Sequence, residues 1–544
     1  MKEGTEGAAH QAPFRRPASS AGKWWPLAAV SVAIFMLLID ITVVNVALPD
    51  IQSQLHASFA NLEWVINAYA LTLAAFQLTS GSLGDRLGRK WLFVAGIVLF
   101  ALASLGCGLA PTATALDALR AVQGVGGAVM YANTLALISD NYTGRDRATA
   151  FGVWGAVSGA SVAVGPLIGG ALTTGLSWRF IFFVNLPLAA IAIAISVTRL
   201  AADRPDRSRR IDWTGLVTFS AALGLLIYAL VEGNTRGWGS AEIIGLFAGA
   251  AVLLLVFAAQ ELRTDQPMLE LRHFRRPGFT GAQVGAFAIS ATLYALLLYL
   301  TLYLQDVLGF SALGAGLRLL AISVLSFVAA PLAGRLTDRV AFRYLISVSL
   351  GLVGAGLILM HGVTATSSWT ALLVGFVIAG IGSGAVNPPL GSLAVGVVPR
   401  DAAGMGSGIN ITFRQVGIAT GIAALGAIFQ SRVAAVLAGH LPAAAGGHLS
   451  QLSAAVASGG ISQALAHVPA AFRAEVGRAA KAAFVSGLNE LFWITGIASL
   501  VGGLACLVLI RQRDLVSGQA EHGPGDSSGD PGPPVPAGSS STVG

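Results

Sequence analysis

Asp40 and Arg120 are ionisable residues set inside long apolar runs of a 544-residue chain, and that setting makes them the first candidates for chemistry. Asp40 lies about 15 residues into its run, hence ~22 Å along a helix rising ~1.5 Å per residue, at hydrocarbon depth. A carboxylate there is costly unless it is protonated or paired, which suits a group that takes up and releases protons. Arg120 enters its own run from the opposite end, so both residues fall ~10 Å from the outer surface. The competing reading is structural: an Asp holding Thr42 or Asn45, and an Arg that only packs helices.

A second set is charged and glycine-rich. Gly81-Ser82-Leu83-Gly84-Asp85-Arg86-Leu87-Gly88-Arg89-Lys90 separates two apolar runs, and a degenerate copy, Gly334 to Arg343, returns 253 residues later. Gly81, Gly84 and Gly88 permit close approach of helix ends. Asp85 can accept from a helix N-terminus in the opposite half, and Arg86 or Arg89 can pair with Asp140, with Asp338 and Arg339 as the counterparts in the copy. Together these residues would form an inner gate; a positively charged topogenic loop is the plainer reading and is compatible with it. Gly159 and Gly165-Pro166-x-x-Gly169-Gly170 remove side chains, and one backbone donor, in mid-helix, allowing close packing and a bend. Asn45, Gln123, Tyr131, Asn133, Asn387 and Gln415 are polar candidates for lining a cavity between the halves.

The elements that must position these residues are membrane helices. The chain is 55% hydrophobic and only 11% charged, with a mean hydropathy of +0.73, which excludes a soluble domain of this length. Fourteen apolar runs long enough to span are present, near 25–48, 62–81, 91–110, 114–138, 149–173, 180–199, 213–232, 241–260, 280–304, 312–333, 344–362, 369–397, 407–430 and 485–510. With the N-terminus inside, 24 of the 33 Lys and Arg fall in inside segments, so the net charge of +7 reports membrane topology rather than nucleic-acid binding. The expected fold is an all-α polytopic membrane protein with both termini cytoplasmic. Its parts are a disordered tail (1–23), a six-helix half (24–200), a linker with two inserted spans (201–279), a second six-helix half (280–512) with a long extracytoplasmic loop (431–484), and a second disordered tail (513–544). The eight His are scattered without metal-ligand spacing, and the glycine runs near Gly124 and Gly380 lack the strand and Gly-Lys-Ser/Thr of a nucleotide loop, so neither metal nor ATP is expected.

The first decapeptide resembles the G-x-L-x-D-R-x-G-R-K signature of the major facilitator superfamily at every position. Leu116, Arg120, Gln123, Gly124 and Gly126 resemble its helix 4 motif, and the Gly159 to Gly170 segment its antiporter motif. Asp40 to Pro49 and Trp178 to Pro187 look like its fourteen-helix drug:H+ antiporter branch, with Asp212-Trp213-Thr214-Gly215 and Phe274 to Phe279 fitting too. Ala132 departs from that branch, which often has proline there. The resemblance implies that the helices bearing Asp40 and Arg120 line a central cavity, so that the guanidinium stabilises the carboxylate until substrate or a proton displaces it. It further implies a monomer of the cytoplasmic membrane that exchanges protons for a small lipophilic drug, driven by the proton gradient with no cofactor and no nucleic-acid partner. An exporter dedicated to one natural product, siderophore or lipid is the alternative within transport; a membrane-embedded enzyme is the remote one.

Overall fold

The computed structural model describes residues 22–511 except 56–58, 202–211, 265–266, 268, 400–401 and most of 441–471. Most of the two tails, a part of the linker and much of the long loop therefore lie outside the described residues. What is described is helical from end to end: α1 (Trp25–Leu55), α2 (Phe59–Leu87), α3 (Arg89–Leu109), α4 (Ala113–Ala132), α5 (Thr134–Asn141), α6 (Gly144–Gly175), α7 (Phe180–Phe183) and α8 (Asn185–Arg199) come first. Then follow α9 (Trp213–Arg236), α10 (Ala241–Glu261), α11 (Pro277–Ile289), α12 (Ala295–Leu302), α13 (Ala312–Leu336), α14 (Phe342–Leu359), α15 (Leu373–Gly396), α16 (Ala403–His440) and α17 (Arg473–Leu509).

Helix ends follow local chemistry. Gly88 has φ 99°, a conformation open to glycine, and it alone separates α2 from α3. The side chains of Thr112, Asp212, Ser240 and Ser311 accept backbone N–H groups at the starts of α4, α9, α10 and α13. Wide π turns at Ser290–Tyr294 and Tyr303–Val307 flank α12, so 277–307 is one kinked rod.

The expected span at 114–138 is present as Ala113–Asn141, with one interruption, and the two boundaries of the long loop are corrected. The run at 114–138 is broken at Asn133, whose Nδ2 donates to Val129 O (2.8 Å) instead of leaving a straight helix. The loop at 431–484 is shorter than expected, because α16 continues to His440 and α17 begins at Arg473. Ala-rich sequence at 431–440 and 473–484 thus continues the two flanking helices.

Among the described residues, twelve helices or runs of consecutive helices are long and apolar enough to cross a membrane. The long helices α2 and α6, bearing the gate and the glycine motif, do not meet that criterion; both are among the polar and Gly-rich members of the bundle. Leu102, Leu109, Leu255 and Val508 are exposed around the periphery, as expected where the solvent is lipid. Packing runs α1 on α6, α2 on α4, α3 on α4, α13 on α15 and α14 on both α15 and α17. The two groups of helices meet through the pairs α2–α16 and α6–α13, while α9 and α10 pair with each other at the side. Both pairs are closed by glycine at the decapeptide end: a Cβ on Gly81 would strike Gly404 O, and one on Gly334 would lie 2.5 Å from Ala148 O.

Candidate functional site

Asp40 and Arg120 meet in the interior of the first group of helices. Arg120 Nη1 donates to Asp40 Oδ2 at 2.5 Å, and the two residues are each 1% exposed. Spacing builds the rest. Gln123, one turn beyond Arg120 on α4, accepts from Arg120 Nη1 (2.9 Å) and donates through Nε2 to Asp40 Oδ1 (3.0 Å). Asn185, the first residue of α8, donates to the same oxygen (2.8 Å) and to Ser104 Oγ (3.0 Å), which itself donates to Phe182 O (2.9 Å). Arg120 Nε donates to Val65 O (2.9 Å), and its guanidinium lies 4.2 Å from the centre of the Tyr69 ring. Both carboxylate oxygens are thus hydrogen-bonded and the charge is neutralised, the condition under which an ion pair survives burial. Removing one partner leaves the other uncompensated, at a typical cost of ~3–5 kcal/mol.

Gln123 was expected to line a cavity; it is instead fully buried within this cluster. Asn185 is the member that sequence reasoning missed. Its signal was an asparagine opening an otherwise apolar segment, within Trp178 to Pro187.

Of the residues expected at a gate, Asp85, Arg89 and Asp140 meet at the decapeptide end. Asp85 accepts the backbone N–H groups of Gly404 (2.8 Å) and Met405 (2.8 Å), the first turn of α16, so a carboxylate caps a helix 319 residues away. Arg89 donates to Asp85 through Nε (2.9 Å) and Nη2 (2.7 Å), and through Nη1 to Asp140 (2.5 and 2.6 Å). The Asp140 pairing thus falls to Arg89, whereas Arg86 points to Pro267 O (3.5 Å) in the linker. Lys90, absent from the expected set, donates to Val197 O (3.0 Å) and Leu200 O (2.8 Å) at the end of α8. Gly84 gives Asn133 its room: a Cβ there would overlap Asn133 Oδ1.

The copy does not form this latch. α13 ends at Leu336, before Asp338, whereas α2 continues past Asp85; Asp338 and Arg339 are consequently exposed, with no side-chain partner among the described residues.

On α6, Gly165 and Gly169 pack against Thr42 and Val43 of α1, Gly159 faces Ser326 of α13 with room for little more than hydrogen, and Gly170 faces open space. The side chains of Pro166 and Asn45 lie outside the described residues. Of the other expected lining residues, Asn133 is fully buried at the α4–α5 break, Tyr131 stacks on Trp154 (centroids 6.4 Å apart), and Gln415 is half-buried on α16. Asn387 is 2% exposed and bonded to Tyr294 OH (3.1 Å), Ser383 O (2.9 Å) and the Arg414 guanidinium (2.8 Å), a second polar cluster.

Comparison with known proteins accords with this arrangement. The chain is 34% identical over 416 residues to the multidrug resistance protein Stp of Mycobacterium tuberculosis, covering 76% of this chain and 77% of that one. It is 31% identical over 499 residues to the tetracenomycin C resistance and export protein of Streptomyces glaucescens, covering 90% and 93%. The fold is that of the proton:xylose symporter XylE, with a TM-score of 0.59 over 90% of this chain and 96% of that one at 11% identity. Residues 30–422 match the family description Major Facilitator Superfamily, and the chain belongs to that superfamily.

Proposed function

We propose that this protein is a proton-coupled exporter of drugs or antibiotics, working by alternating access in the cytoplasmic membrane. The observation that carries the proton coupling is the buried cluster of Asp40, Arg120, Gln123 and Asn185. In this arrangement the Asp40 carboxylate accepts three hydrogen bonds, from Arg120, Gln123 and Asn185. Protonation removes its charge and frees the guanidinium, so that proton binding and the ion pair exclude each other. Drug efflux is supported by the relatives named for multidrug and antibiotic resistance. The decapeptide end is the cytoplasmic gate, closed here by Asp85 on α16.

In this reading the twelve apolar helices and α2 and α6 make fourteen spans, because α2 and α6 pack between spans over a comparable length. Both termini are cytoplasmic; a half at 24–200, an insert at 201–279 and a half at 280–512 follow. Transport is by a monomer, takes a small lipophilic substrate, and needs the gradient and no cofactor or enzyme chemistry. Among the lining candidates with described side chains, Gln415 is the one that is half-buried rather than buried.

The test is dye or drug efflux in everted vesicles under an imposed pH gradient. Asp40→Asn is expected to abolish gradient-driven transport; gradient-independent, unimpaired transport by that variant would sink the assignment. A second reading, an exporter dedicated to one natural product, is favoured by one observation: the relative covering 90% of this chain is named for a single compound. Transport of several unrelated dyes would decide against it.

A further inference from the structure

Arg414 stands twelve residues into α16, ~16 Å along at ~1.5 Å per residue, in a 38-residue helix containing no acidic residue. It is 6% exposed. Unlike Arg120, it has no carboxylate within ion-pair distance among the described residues. Its partners are neutral: Nη1 donates to Asn387 Oδ1 (2.8 Å) and Nε to Asn410 Oδ1 (3.4 Å), while Nη2 is buried and makes no hydrogen bond. A lone guanidinium at this depth is expensive to keep, and membrane arginines usually find a counter-charge.

The surroundings are short of acceptors. Trp154 Nε1 and Gln283 Nε2 are also buried without acceptors, and the guanidinium lies 5.9 Å from the Trp154 ring centre. Tyr131 stacks on that ring at 18° between planes. Tyr131 and Trp154 come from α4 and α6, whereas Asn387, Gln283 and Arg414 come from α15, α11 and α16. The place is therefore the junction of the two groups of helices, which a transported molecule must pass.

We propose that Arg414 is the anchor for the anionic group of an aromatic substrate, a carboxylate being the fitting case. One carboxylate oxygen would accept from Nη2, the charge would be neutralised in a dry site, and the aromatic body would lie against the Tyr131–Trp154 pair. The inference rests on the transporter reading and adds a substrate class to it. The fold itself does not call for the arginine: the offset relating Ala148 and Gly152 to Gly404 and Gly408 in the two glycine-closed pairs puts Ser158 of α6 at the corresponding position.

Isothermal titration of the full-length protein in detergent micelles, with 2-naphthoate and with its uncharged methyl ester, tests this. Wild type should bind the acid ~10-fold or more tightly than the ester, the worth of one charge-assisted contact. Arg414→Gln should bring the two to equality, and Arg414→Lys, which keeps the charge, should retain a preference for the acid. Equal binding of acid and ester by wild type, no binding of the acid, or an unchanged preference in a monodisperse Arg414→Gln would each overturn the proposal. The wild-type comparison needs no variant, so it stands even if Arg414→Gln does not fold. No pH gradient is applied, so failure of proton coupling at Asp40 and failure of anion recognition at Arg414 are separately visible.

Discussion

Asp85→Asn isolates what one carboxylate contributes to closure. The side chain is 10% exposed and accepts two backbone N–H groups of α16 at 2.8 Å each, besides the Arg89 guanidinium. Asparagine is nearly the same size and keeps one oxygen, so one backbone bond survives. The other oxygen becomes an NH2 facing an N–H, and the ion pair to Arg89 is lost. A hydrogen bond to a charged partner is worth ~1.5–3 kcal/mol. Allowing Arg89 to keep Asp140, the net loss should be ~2–4 kcal/mol, or roughly a 30- to 700-fold rise in the population of the opened gate. Hydrogen exchange read by mass spectrometry over 403–409 and 78–88 measures this directly, since exchange of a protected amide scales with the opening equilibrium. Asp338→Asn is the internal control: that carboxylate is exposed and unlatched, so exchange at the start of α6 should stay within ~2-fold, a surface change being worth at most about 0.5 kcal/mol. If Asp85→Asn leaves exchange in 403–409 unchanged while the protein remains folded, the latch argument is wrong.

Gly165→Ala should lower thermal stability by ~1–3 kcal/mol, because the new methyl group would overlap Thr42 Oγ1; Thr42→Ala in the same chain should restore most of it. A melt of the double variant no better than the single one would refute the contact. Asn185→Ala removes one of two neutral donors to Asp40 Oδ1, a loss of ~1.5–3 kcal/mol to the ionised form. Gradient-driven dye efflux in vesicles should therefore fall ~10-fold or more; efflux equal to wild type would show that Asn185 only packs α8.

Residues that break a pattern were legible in the sequence. Asp40 and Arg120 stand out because charge is rare in apolar runs, and the decapeptides because they repeat. Their neighbours were not legible for physical reasons. The Asp85 carboxylate meets backbone N–H groups, which carry no residue signature, at a separation of 319 residues. Gln123 and Asn133 are polar, and polarity alone does not distinguish a cavity wall from a satisfied buried site; the hydrogen bonds decide, and they place both inside. The ends of α16 and α17 were misread because alanine and glycine suit a loop by flexibility, whereas alanine is also the best helix former. Arg414 had a signal as strong as that of Arg120, being the one charge in the run 407–430 whereas the run 114–138 also holds Asp117, and only the absence of a family motif around it left it unremarked.

The two glycine-closed pairs show how duplication and function divide the structure. Gly81 against Gly404 and Gly334 against Ala148 are equivalent contacts, so shape complementarity at the closed end belongs to both repeats. Charge does not. Asp85 lies within α2 and reaches the α16 N-terminus; Asp338 lies beyond the end of α13 and reaches nothing described. Arg120 has Phe376 at the matching place on α15, and Arg414 has Ser158 on α6. Packing energy is thus spread over both pairs, while the charged contacts sit on one repeat's member only, at Asp85, Arg120 and Arg414. Closure should accordingly be released first along α2–α16, with α6–α13 acting as the packed side about which the helices move. An inward movement begun at α6–α13 would require separating tight glycine packing before the Asp85 bonds to the start of α16 are broken.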